Sequence, residues 1–346
     1  MSPLSPLGCS RRTLLRAGLT VAVAGAVSLP ARADEAVRVR LGTLAPRGSF
    51  YHRTLQEMAE KWRQAQGGGA TFTIFTDGTQ GGEADMVRRM RIGQLNAALI
   101  TVVGLMQIER SVAALQVMPL VFRNWEELDF VRERITARFE QRMLEKGFVV
   151  LFWGDAGWVR YFSKEPAHRP EDFKSRKIFA WAGDNDQVQL MKTLGYQPVP
   201  LETADILPAL QTGLINVVPS GTYYALAGQF NTIAHYMLDL RWVPIVGAAV
   251  VTRTVWDAMS PAGREQLMAA ARVAGPQVRA HARKEDDEAI EAMKKRGLNV
   301  YAPSAEEEAE WRRAVEQAYP RIRGTLVPAD AFDEVMVLLR EYRSGR

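Results

Sequence analysis

Apolar and polar positions change period repeatedly along this chain, from alternation by two to the spacing of a helix face, as strands and helices do. Val37-Arg38-Val39-Arg40-Leu41-Gly42 alternates as a strand with one buried face. Ser49, a residue type that caps helices, precedes Tyr51, Leu55, Met58 and Trp62, which share one helical face, and Gly67-Gly68-Gly69 ends that helix. Thr71 to Phe75 is a second strand, Gly78 to Glu83 a glycine-bearing turn, Ala84 to Arg91 a helix and Ala97 to Val102 a third strand. Further on, Lys177-Ile178-Phe179-Ala180-Trp181 reads as a strand closed by Gly183-Asp184-Asn185, with a helix from Gln187 to Leu194. Strands alternating with helices predict an α/β fold built on parallel sheet.

An internal echo predicts two similar halves. Arg91-Ile92-Gly93-Gln94-Leu95-Asn96 and Gln211-Thr212-Gly213-Leu214-Ile215-Asn216 each give a helix end, a glycine, an apolar residue, an asparagine and then a strand. Glycine suits the left-handed cap that ends a helix. The last third is helical. Ser260-Pro261 starts a long helix that runs to Lys295 and stops at Gly297, and helices follow over Glu306 to Tyr319, with Ser304 and Glu307 as a capping box, and over Ala331 to Tyr342. The long helix could brace the halves or offer a dimer surface.

The N-terminus changes the charge picture. Arg11, Arg12 and Arg16 precede an apolar run from Ala17 to Leu29 and the small-x-small site Ala31-Arg32-Ala33, so residues 1–33 read as a cleaved export signal, with the paired arginines pointing to the twin-arginine route. The run is short of the roughly 20 strongly apolar residues of a membrane span. Without the leader, 40 Lys plus Arg remain against 39 Asp plus Glu, a balance with no electrostatic footprint for nucleic acid or anionic membrane. The only cysteine, Cys9, leaves with the leader, and with it disulfides, thiolate metal sites and cysteine nucleophiles.

The run from Glu171 to Trp256 carries a resemblance. Lys177-Ile178-Phe179, Ala209-Leu210-Gln211-Thr212-Gly213-Leu214-Ile215-Asn216 and Thr252-Arg253-Thr254-Val255-Trp256 fall in the order found in extracytoplasmic solute-binding subunits of tripartite ATP-independent periplasmic (TRAP) transporters, the DctP-like family. Leu41-Gly42-Thr43-Leu44-Ala45-Pro46, Gln80-Gly81-Gly82-Glu83 and Pro119-Leu120-Val121-Phe122 extend the similarity over most of residues 37–320. The resemblance implies a two-lobe periplasmic binding protein fold with hinge strands and a long C-terminal helix. Residues 34–157 with 246–346 would form lobe I and its helices, and 158–245 lobe II. It implies a periplasmic protein that closes on a small organic solute and delivers it to membrane permease subunits. The alternative is a ligand-binding or sensing module that takes an apolar or lipidic ligand and works with a partner such as a tetratricopeptide-repeat protein.

Two positions depart from the family pattern. The arginine that follows Lys-Ile in the family, and that pairs with a solute carboxylate, is Phe179 here, and the polar stretch after the second motif becomes Asn216-Val217-Val218-Pro219-Ser220. An anion would then need another cation, and Arg160, on the same strand face as Trp158, is the candidate. Trp158, Phe179, Trp181, Tyr223, Tyr224, Trp242 and Phe50 are the candidate walls, with Ser220 as a polar contact, although any one of these aromatics is more simply a core residue. They predict a solute more apolar than dicarboxylates and sugar acids. No catalytic residue, cofactor or metal site is expected: the four histidines lie far apart, and neither a nucleophile elbow nor a phosphate-binding loop occurs.

Overall fold

The computed structural model describes residues 37–66 and 70–345; the expected export signal and the Gly67–Gly69 helix stop lie outside them. The strands are β1 (Arg38–Thr43), β2 (Thr71–Phe75), β3 (Ala97–Thr101), β4 (Phe148–Ser163), β5 (Lys177–Trp181), β6 (Gln197–Leu201), β7 (Val217–Gly221), β8 (Tyr236–Leu238), β9 (Pro244–Thr252) and β10 (Asn299–Tyr301). The helices are α1 (Phe50–Ala65), α2 (Glu83–Arg91), α3 (Val102–Leu105), α4 (Trp125–Glu145), α5 (Pro170–Lys174), α6 (Asn185–Thr193), α7 (Ile206–Thr212), α8 (Thr222–Ala227), α9 (Arg253–Ala258), α10 (Pro261–Lys294), α11 (Ala305–Ile322) and α12 (Ala329–Arg343). None of the described helices is long and apolar enough to cross a membrane.

Sheet order is β2-β1-β3-β9-β4-β7-β5-β6, a two-lobe arrangement in which parallel strands on each side flank an antiparallel centre. β4 belongs to both lobes. Its first part, from Phe148 to Trp158, pairs antiparallel with β9, and its last part, from Val159 to Ser163, pairs with β7. The sequence reading placed everything after residue 246 with lobe I; β10 is an exception, because it pairs with β8 beside the lobe II end of β4.

Local sequence explains the elements. Ser49 Oγ accepts the His52 amide at the start of α1, and Tyr51, Leu55, Met58 and Trp62 are all buried beneath that helix. The matched turns are real: Gly93 and Gly213 both have φ +74, and the Asn96 and Asn216 amides donate to Arg40 O of β1 and Lys177 O of β5, the neighbouring parallel strands, at 3.1 and 3.0 Å. The box of Ser304 and Glu307 caps α11.

The long helix α10 lies along β4, and small residues bring the two close. A β-carbon on Gly154 would meet Val278 Cγ1 at 2.8 Å, and one on Gly275 would meet Phe152 Cβ at 2.9 Å. Charges then fix the pair. Arg283 of α10 holds Asp155 of β4 and Asp129 of α4, and Arg132 of α4 holds the same two carboxylates. Farther along, Asp286 of α10 accepts from Arg160 Nη1 at 2.8 Å and from Thr222 Oγ1 at 2.6 Å. Gly157 sits at an irregularity of β4 with φ +86, and a β-carbon there would lie 2.7 Å from Asp286 Oδ1. Gly157→Ala is therefore expected to lower stability by about 1–3 kcal/mol, from left-handed strain together with displacement of Asp286, as measured by urea denaturation.

Candidate functional site

The loops at the C-terminal ends of the parallel strands converge between the lobes, where ligands bind in open α/β sheets. They enclose a cavity of about 1150 Å³. Lobe I contributes Leu44, Asp77, the Gly81–Asp85 turn and Thr101; lobe II contributes Phe179, Trp181, Asp184, Glu202, Ser220 and Tyr224. Val159 and Tyr161 of β4 form part of the floor, and Trp311 and Val315 of α11 add a wall.

Of the residues expected from the sequence, Phe179, Trp181, Ser220, Tyr224 and Trp242 line the cavity. Arg160, Trp158, Tyr223 and Phe50 do not, which corrects the sequence reading. Arg160 points from β4 to α10 and Trp158 packs toward α4, both away from the cavity; the alternate residues Val159 and Tyr161 face the cleft. The Arg160 guanidinium is buried between Asp286 and Asp239, at 2.8 and 2.6 Å. Burial disfavours its charge, but the two carboxylates outweigh that and raise its pKa. Trp158 packs on Trp125 with ring centroids 4.8 Å apart. Phe50 stacks on His281 at 3.8 Å, and Tyr223 lies 6.0 Å from Tyr51.

Tyr161, Phe173 and Trp311 were not anticipated. Trp242 has its ring 5.4 Å from Tyr161 and 5.6 Å from Trp311, both edge-on, so four aromatic rings close one side of the cavity. Backbone bonds hold Trp242 in place: its amide donates to Val159 O at 3.0 Å and its carbonyl accepts from Leu120 N at 2.8 Å. The alternation of β4 could have found Tyr161 once its inward face was known. Nothing local marks Trp311, which reaches the cleft only because α11 folds back against α5.

The charged lining groups are mostly acidic. Glu83, at the start of α2, accepts from Thr101 N, Thr101 Oγ1 and Gly104 N at 2.8, 2.7 and 2.9 Å. Burial still pushes its carboxyl pKa up, against the pull of those three donors. Asp184 is raised by burial, with Asp186 adding to it, although it caps α6 by accepting the Gln187 amide. Burial also pushes up the phenols of Tyr161 and Tyr224, leaving neutral hydroxyl donors. Lys174, Arg313 and Arg321 are the lining cations among the described residues; both arginines are exposed, and Lys174 pairs with Glu171 at 2.7 Å. No group of three or more His, Cys, Asp or Glu among the described residues is placed to hold a metal.

The lobes touch across the mouth. Arg110 of lobe I bonds Asp186 of lobe II at 2.8 Å, and a β-carbon on Gly183 would lie 3.6 Å from Ala84 Cβ.

Residues 41–324 match the family described as bacterial extracellular solute-binding protein, family 7 (DctP). The chain belongs to this family. Among relatives of this DctP-family protein, YiiZ of Salmonella typhimurium is 24% identical over 185 residues, covering 53% of this chain and 56% of that protein. The 2,3-diketo-L-gulonate-binding periplasmic protein YiaO of Escherichia coli is 22% identical over 298 residues, 80% of this chain and 85% of YiaO. A TRAP periplasmic solute-binding protein from Ralstonia eutropha, solved with bound (S)-2-acetolactate, shares the fold at TM-score 0.81 and 19% identity, covering 88% of this chain and 99% of that one. Like these, the chain is a solute-binding protein.

Arg160→Ala should act on stability. Leaving Asp286 buried without its cation is expected to cost about 3–5 kcal/mol in urea denaturation. The conservative Arg160→Lys should recover part of it.

Proposed function

We propose that this protein is the periplasmic solute-binding subunit of a TRAP-type transporter whose solute is a ring-bearing, largely apolar molecule, passed from the closed cleft to membrane permease subunits. The observation that carries this reading is the wall of the cavity: Phe179, Trp181, Tyr161, Trp242 and Trp311 line it, while the buried guanidinium of Arg160, outside the lining, is occupied by two carboxylates. Relatives with solved structures hold D-glucuronate, succinate or orotic acid. Where the family pattern places an arginine for such an acid, this chain has Phe179, only 1% exposed. A carboxylate moved against that ring would lose its water without gaining a cation, at a cost of several kcal/mol. An apolar ring there gains area burial and edge contacts instead.

Binding of this kind works by shifting the balance between open and closed forms, with no chemical step. Export to the periplasm fits the leader sequence, and division of the lobes at residues 157–158 fits the change of β4 partner there. A tetratricopeptide-repeat protein would be an additional receiver of the closed form, tested by co-purification with the genomic neighbour.

The test is mass spectrometry of small molecules released on denaturing mature protein purified without refolding. The native protein is expected to release a ring-bearing molecule with at most one ionised group. Trp242→Ala should retain it about tenfold or more weakly, as loss of a buried aromatic anchor does. Recovery of a compact dicarboxylate or sugar acid, held equally by native protein and Trp242→Ala, would remove the aromatic wall from the site.

A further inference from the structure

We propose that Glu202 and Gly82 form a proton-linked closing contact. The bare backbone at residue 82 lets the lobe II carboxylate seat against the start of α2 in lobe I, and the charge on that carboxylate sets how readily the cleft shuts. Solute affinity then depends on pH through a residue that need not touch the solute. The inference rests on the reading that the solute is held in the closed cleft.

The geometry separates two reasons for a glycine. Gly82 is the N-cap of α2, with φ −67 and ψ 173, a conformation open to any residue, so its backbone does not require glycine. The space does. A β-carbon on Gly82 would lie 2.6 Å from Glu202 Oε2, closer than real contacts allow. Glycine also leaves α2 without a side-chain cap of its own.

Other charges oppose this seat. Asp85 of α2 faces Glu202 from lobe I and is itself bonded to Arg88 at 2.5 Å, and Asp205 lies beside Glu202 on its own lobe. Among the described residues no Lys or Arg forms an ion pair with Glu202. Burial first, then Asp85 and Asp205, hold the Glu202 carboxyl above its usual pKa. Opening the cleft removes Asp85 and returns water, so the carboxyl moves back toward its ordinary range. The closed form therefore binds the proton more tightly than the open form does. Closure strengthens as pH falls through the Glu202 range and weakens as pH rises above it.

The mature chain allows a direct measurement, because its sole cysteine, Cys9, lies in the leader. Spin labels on Glu57→Cys of α1 and Lys192→Cys of α6, both exposed, report the interlobe distance by pulsed EPR without solute. Between about pH 8 and about pH 4.5 the ratio of short-distance to long-distance population is expected to rise on the order of 3- to 10-fold. The near-isosteric Glu202→Gln should favour the short distance throughout and lose most of the pH response. Gly82→Ala should shift the population to the long distance with an unchanged circular dichroism spectrum. A Glu202→Gln protein that titrates like the native one, or a native distance that ignores pH, overturns the proposal. A pH-driven distance change in a protein from which no small molecule is ever recovered would instead count against the solute reading and leave the contact standing.

Discussion

One strand shared by two lobes, with one helix bonded along it, is the constraint on which the remainder of this structure depends. β4 changes partner from β9 to β7 at its middle, and α10 follows it across that point with Arg283 on one side and Asp286 on the other. Each of these charges is paired more than once, which offsets the desolvation that an isolated buried ion would suffer. Their net contribution to stability is modest by that same reasoning. Their larger effect is geometric: Arg283 on Asp155 and Asp286 on Arg160 fix the rotation of β4 about its own axis. That rotation decides which side chains become the cleft floor.

The sequence was most legible where structure is local. The cap at Ser49, the box of Ser304 and Glu307, and the matched turns at Gly93 and Gly213 each depend on neighbours within a few residues, and the structure has them as expected. The order of family motifs carried the two-lobe fold. It was least legible along β4. Phe148 to Trp153 is an unbroken apolar run that carries no period, and Gly154-Asp155-Ala156-Gly157 has the composition of a turn although it continues the strand through an irregularity. The parity of Trp158 and Arg160 was right, but the inward face was not, because it is set by Asp286, a residue 126 positions away. Trp311 was invisible for the same reason.

The cleft differs from a simple acid-binding site in where its charge lies. Cations line the outer reaches, on α5 and α11, whereas the inner walls combine aromatic rings with carboxylates whose pKa values are pushed up. Two neutral phenols, Tyr161 and Tyr224, supply hydroxyl donors inside. On the proposed reading such a lining would discriminate as much by what it rejects as by what it holds, since among the described lining residues a dianion would meet like charge and find no buried counter-ion.

The continuity of β4 also sets how the lobes can move. A strand bonded to β9 along its first part and to β7 along its last, and backed by a helix, cannot lengthen, so the lobes can only fold about it, as covers fold about the spine of a book. Pages near a spine barely separate. The floor residues Val159 and Tyr161 sit on that spine, whereas α6 lies out toward the rim of lobe II. Depth would be a fixed gauge of what fits, and width an adjustable one.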